Sequence, residues 1–194
     1  MKRDVLSPLS RPLSILACGI LASCATPIES SRTEVSSSIG SSQPLPAIIV
    51  QDVNQTREQL GVPALKRHAG LDRLAQKHSE FLRQNRGSFS LHGKNVSHHG
   101  SESRALVAIN RLEMINYGEN VAWTVRQPNP AAASQALIAL WKKSPDHREA
   151  MLDDHWSHTG VGVVVDSDGS VFATQIFGTK TMSQMTMRDR LNQF

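Results

Sequence analysis

Two runs, "GVGVVVD" and "SVFATQIFG", constrain the fold of this chain more than any other feature. Both are β-rich, and they are joined around Asp168 and Gly169, where glycine supplies the positive φ that a tight hairpin turn needs. The apolar residues before them recur at helical spacing. Helices therefore precede strands, and the predicted class is α+β. Ile49, Val53 and Leu60 share one helical face, and that segment stops at "GVP" (Gly61 to Pro63). A second helix carries Leu71, Leu74, Ala75, His78 and Leu82 on its stripe and closes at Asn85, Arg86 and Gly87. His78 on that stripe reads as a packed, hydrogen-bonded core residue rather than a ligand. A polar loop, "SFSLHGKNVSHHG", leads to a third helical segment over 101–112. The run "NPAAASQALIALWKK" then opens with Asn129 as N-cap and Pro130 at the first helical position, with Ala133, Leu137, Leu140 and Trp141 on one face.

The N-terminus has a different character. "MKRDVLSPLSR" is cationic and is followed by "LSILACGILA", an apolar run of 10 residues, too short for a bilayer core of about 30 Å. The run ends in "LASC", Leu21 to Cys24, which resembles the lipobox of bacterial lipoproteins. That resemblance implies a signal peptide over 1–23 and acylation of Cys24. Cys18 would leave with the signal, so the mature chain has no pair for a disulfide. Two or three acyl chains at about 0.8 kcal/mol per buried CH₂ would anchor the protein stably. Ala25, where an inner-membrane signal would place Asp, implies the outer membrane, on its periplasmic side. Residues 24–46 are Ser-rich with scattered Pro and read as a flexible tether, about 25 Å long on average and about 70 Å when stretched. With 194 residues and 39% hydrophobic content the chain has material for one core. That core is expected over 47–178, with a C-terminal tail over 179–194. Of the formal charge of +4, Lys2, Arg3 and Arg11 against Asp4 put +2 in the first 23 residues. The rest is too weakly basic to suggest nucleic acid.

Five short motifs in order resemble the bacterial branch of the CAP superfamily, which takes in cysteine-rich secretory proteins, antigen 5 and pathogenesis-related proteins. They are "SHHGSESR" (97–104), "GENVAW" (118–123), "WKKSPDH" (141–147), "HTGVGV" (158–163) and "TQIF" (174–177). The resemblance covers roughly residues 50 to 178 and implies an α-β-α sandwich with a cleft on one side of the sheet. It also implies a cleft set of His98, Glu119 and His147 able to hold a divalent cation, zinc or magnesium. Where many members of the family carry a second glutamate, this chain has Ser144.

Two imidazoles and a carboxylate are three ligands, with a fourth position left for water, as in catalytic zinc sites. Separations of 21 and 28 residues match no local metal motif, so only the fold can bring these groups together. His99 is the register rival of His98. Glu119 reads either as a cleft carboxylate, the candidate general base, or as a group bonded to backbone amides that holds a "GEN" turn. Asn120 reads as structural. Ser144, Pro145 and Asp146 make a well-formed helix start. Capping does not explain His147, because a protonated imidazole is disfavoured at that end of a helix. A rival metal constellation is His147, His155 and His158 with Asp153 and Asp154, on a loop entering the hairpin. The functional reading is an envelope lipoprotein whose cleft (His98, Glu119, Ser144, His147) binds lipid, glycan or peptide, with or without a cation. The alternatives are a metal-dependent hydrolase using Glu119 as base and a structural scaffold. The non-enzymatic reading is preferred, since the second glutamate is missing and there is no "GxSxG" elbow.

Overall fold

The sheet is built around the C-terminal hairpin, with helices laid on both of its faces. The structure, a computed structural model, describes residues 43–86, 90–91, 94–95 and 97–180. The expected signal peptide, Cys24, most of the tether and the tail beyond Lys180 lie outside the described residues. In chain order the elements are α1 (Leu45–Gln59), β1 (Lys66–Arg67), α2 (Ala69–Gln84), β2 (Ser90–Leu91), β3 (Lys94–Asn95), α3 (Ser101–Leu112), β4 (Asn116–Thr124), α4 (Pro130–Lys143), α5 (Pro145–Leu152), β5 (His158–Val165) and β6 (Val171–Thr179). Helix α1 thus starts two residues inside the stretch read as tether.

The main sheet has the order β1-β5-β6-β4. β6 lies antiparallel between β5 and β4, and the short β1 runs parallel to β5. Side chains alternate across a strand, so each face gathers its own core. Val161, Val171, Ala173 and Phe177 meet Ile49, Val53, Leu137, Trp141 and Met151 of α1, α4 and α5. The opposite face packs Ile176, Val121 and Phe172 against Leu71, Ala75 and Leu82 of α2 and Ala108 of α3. This is the α-β-α sandwich of the α+β class.

The glycines of "GVG" explain how closely α2 approaches. A Cβ on Gly160 or Gly162 would stand 2.3 or 2.1 Å from the α2 backbone. At that distance Asp72 accepts from the Val161 N–H at 2.9 Å and Gln76 from the Val163 N–H at 3.0 Å. Side chains one helical turn apart thereby satisfy the edge of β5 that the two-residue β1 does not reach. The hairpin turn closes on Gly169 at φ 84°, with Asp166 and Ser170 bonded across it.

The Asn129 side chain caps α4, accepting from the Ala132 N–H at 2.8 Å. Several expectations need correction. Leu140 is 43% exposed, and Ile138 joins Ala133, Leu137 and Trp141 on the buried face instead. Leu60 is 61% exposed because α1 ends at Gln59. Arg57 is buried in its place, donating to the carbonyls of Pro63, Met151 and Asp153 at 2.8–3.0 Å. Those last two carbonyls sit at the C-terminal end of α5, where a cation is favoured. Helix α2 does stop at Gln84 and close through Asn85, as expected, and Gly87 lies outside the described residues. "GEN" is no turn but the middle of strand β4.

Candidate functional site

β4 is an edge strand, bonded only to β6 among the described strands, and Glu119 lies opposite Ile176 on the face that α2 and α3 cover. Its carboxylate is 2% exposed. Tyr117, two residues earlier, shares that face by the alternation of the strand and donates its hydroxyl to Oε2 at 2.7 Å. Arg104 donates Nε to Oε2 at 2.7 Å and Nη2 to Oε1 at 2.8 Å. His98 donates Nδ1–H to Oε1 at 2.9 Å.

The turn over 97–100 delivers the last two donors. Gly100, at φ 73°, precedes α3 and reverses the chain, with the Ser101 N–H donating to the His98 carbonyl at 3.0 Å. The Arg104 Nη1 then reaches back to the His99 carbonyl at 2.8 Å. Burial alone would push the Glu119 carboxyl up. The bonds from His98, Arg104 and Tyr117 outweigh it and hold the group at about 2. Burial beside this carboxylate pushes the Tyr117 phenol well up.

His78 lies beneath the cluster. It is a packed residue with a 1% exposed ring, bonded to the Ser97 carbonyl at 2.6 Å, and its Nε2 is 3.8 Å from Glu119. Burial, first among its influences, pushes its pKa down and keeps it neutral. Its ring stacks on Phe81, which stacks in turn on His99. A cavity of about 230 Å³ adjoins this stack, with Lys77 and Arg104 among its lining residues. A larger one of about 630 Å³ lies elsewhere, between Leu45, the start of α4 and the hairpin turn. Its lining groups include no histidine, whereas the smaller cavity is lined by His78 and His99 and by Arg104, the partner of Glu119.

His147 arrives from the other side of the sheet, on α5. Asn120, buried on β4, donates to the His147 carbonyl at 2.8 Å and so ties that helix to the edge strand. The His147 ring comes within 6.1 Å of His98, centroid to centroid. Burial, and then the neighbouring His98, push its pKa down. Ser144 stands at the N-cap of α5, half-buried, but its side chain makes no capping bond.

His98 rather than His99 thus meets Glu119. The donors on Glu119 are side chains, not the backbone amides considered from sequence. Arg104 and Tyr117 received no role from sequence. Arg104 did carry a signal, because a cation in the first turn of a helix opposes the helix dipole and calls for a partner.

The rival constellation separates. Asp153, Asp154 and His155 offer ligand atoms within 4.8 Å of one another on the surface. His155 is bonded to Asp153 at 2.8 Å. His158 is not a loop residue: it is buried at the start of β5 against His68. His147 stands beside His98 instead.

A divalent cation is the group that the family resemblance implies at Glu119, and the donor set there does not fit one. Four N–H and O–H bonds, two from Arg104 and one each from His98 and Tyr117, use the lone-pair positions of the carboxylate. A divalent ion at roughly 4 Å from the guanidinium would meet a repulsion of about 8 kcal/mol at an effective dielectric of about 20.

Helices on both faces of a four-stranded mixed sheet define the sandwich of SCP domains. The chain belongs to the cysteine-rich secretory protein (CAP) family, whose profile matches residues 50–177. Among solved structures it is similar to an outer surface protein of Borrelia burgdorferi, with 18% identity, a TM-score of 0.54, and coverage of 70% of this chain and 92% of that one. It is also similar to an extracellular protein containing an SCP domain from Bacillus anthracis, with 22% identity, a TM-score of 0.51 and 70% coverage of this chain. The match spans only 40% of the Bacillus protein. No curated protein sequence matches the chain. Among the described residues no helix is long and apolar enough to cross a membrane.

Proposed function

We propose that this protein is a non-enzymatic binding module of the bacterial envelope, held at the outer membrane by acylated Cys24, with a cleft beside β4 that takes a cell-wall glycan-peptide. The observation that carries the non-enzymatic reading is the state of Glu119. A base must accept a proton near neutral pH, and a carboxylate held at about 2 by four donors does not. The hydrolase reading therefore lacks its base.

The groups around the cavity suit a polar ligand bearing carboxylates. Lys77 and the exposed His99 line the cavity and offer donors, and the exposed His98 stands next to His99 in the adjoining turn. An envelope location is supported by "LASC" and by the outer-surface and extracellular descriptions of the two similar proteins.

Calorimetric titration of the full chain with soluble muropeptides tests the reading. Saturable binding that Lys77→Ala weakens about tenfold, with the fragments recovered intact by mass spectrometry, is expected. Cleavage of the fragments restores the hydrolase, and no binding, with binding to phospholipid vesicles instead, moves the ligand to lipid. Cys24→Ser should release the protein from membranes. Retention of that variant, with no lipid mass on the wild type, removes the anchor.

A further inference from the structure

Arg104 stands in the first turn of α3, the end of a helix where a cation is disfavoured. Glu119 and the His99 carbonyl hold it there. Its guanidinium meets Glu119 side-on at 2.7 and 2.8 Å, and its remaining nitrogen donates to the His99 carbonyl at 2.8 Å. The side chain is 11% exposed and its partner 2%. Paired and oriented at both ends, the guanidinium has the fixed fork geometry in which arginine neutralises a buried carboxylate best.

Any cation bound by Glu119 needs an oxygen that Arg104 already holds. The two imidazoles that would complete such a site stand nearby, with His98 on Glu119 at 2.9 Å and His147 next to His98 but outside the 4.8 Å within which three ligand atoms would lie together. Rings of two histidines on one tetrahedral zinc have centroids about 5 Å apart, given Zn–N bonds of about 2.0–2.1 Å. His98 and His147 stand at 6.1 Å with their planes tilted by 49°, so His147 has to turn and move inward for both to reach one ion.

We propose that Arg104 is the built-in cation of this site: it keeps Glu119 neutralised so that the wild-type site takes no divalent ion, and its removal uncovers a three-ligand site of His98, Glu119 and His147. The site is then a latent metal centre with an arginine in place of the metal. In this respect the chain departs from the cation-holding set that its family resemblance implies. The inference stands apart from the identity of the ligand, and the two fail separately.

The test is calorimetric titration of the full chain with zinc chloride at pH 7, in a His155→Ala background that removes the Asp153–Asp154–His155 cluster. The Arg104→Gln variant is expected to bind one zinc at least 100-fold more tightly than the background protein, to gain melting temperature on zinc addition, and to lose both with His147→Ala. Zinc binding without the Arg104 substitution that His147→Ala abolishes overturns the proposal. So does an Arg104→Gln variant that is folded by circular dichroism and gains no affinity. Should Arg104→Gln fail to fold, the protein with Arg104 intact decides: a zinc-dependent rise in its melting temperature that requires His147 overturns the proposal, and no such rise supports it.

Discussion

Replacing Glu119 by Gln removes one charge and should make the domain less stable in a pH-dependent way that can be worked out from the cluster. The carboxyl falls from its ordinary 4.5 to about 2 in the folded protein, with the bonds from His98, Arg104 and Tyr117 overcoming its burial. At about 1.4 kcal/mol per tenfold change in proton affinity, that corresponds to about 3 kcal/mol of stability at neutral pH. The side chain is 2% exposed, so little is lost to solvent screening. Because the folded value is the lower one, this contribution is complete above about pH 4.5 and is lost as pH falls toward 2. Glu119→Gln also strands the Arg104 charge, and breaking a buried pair in this way costs about 3–5 kcal/mol. Urea unfolding of wild type and variant from pH 2 to pH 8 provides the assay. The stability gap between them should be flat above about pH 5, narrow below it, and be smallest near pH 2. Taking the difference cancels the other carboxylates that titrate in the same range. A variant as stable as the wild type at pH 7, or a gap that does not change with pH, would refute the reasoning.

The remaining predictions concern the scaffold. Gly162→Ala sets a Cβ 2.1 Å from the Gln76 backbone nitrogen, which neither element can avoid by turning a side chain, so a loss of about 3 kcal/mol is expected in chemical denaturation. An unchanged midpoint would show that α2 can lift off β5. Gly169→Val meets both a positive φ of 84° and the Arg126 side chain at 2.5 Å, whereas Gly61→Val meets only its φ of 73° in open space. Both should destabilise the domain, by about 1–2 kcal/mol for the backbone alone, read as a lower melting temperature, and Gly169→Val should destabilise it further; equal losses would remove the Arg126 clash. Asn129→Ala deletes the α4 cap bond and should cost about 1 kcal/mol, measured by thermal unfolding, while Ser144→Ala, which loses no capping bond, should cost less.

The class of fold was legible in the sequence because its signals are short-range. A stripe at helical spacing marked α2, an Asn-Pro start marked α4, and an Asp-Gly pair between β-rich runs marked the β5–β6 hairpin. Each needs only neighbours within a turn or two to be read. The motif order pointed to the family and to His98, Glu119 and His147 as a group, and two of these are in direct contact with each other. The strand β4 was harder to read, since "NYGENVAWT" mixes glycine and polar residues at places where a strand buried on both faces would show an apolar run.

What tertiary structure alone decided is the state of the carboxylate. Whether Glu119 is a base, a metal ligand or a neutralised anchor depends on which donors reach it. Tyr117 comes from its own strand, Arg104 from a helix start 15 residues upstream, and His98 from the turn before that helix. His147 is brought across the sheet edge by a helix that Asn120 holds. Local periodicity fixes which face of an element is apolar. It carries no information about which charge from another element will stand within 3 Å of a given oxygen. That depends on how α3 and α5 pack around the edge of one strand, and in a site of low dielectric such placements set both charge and chemistry.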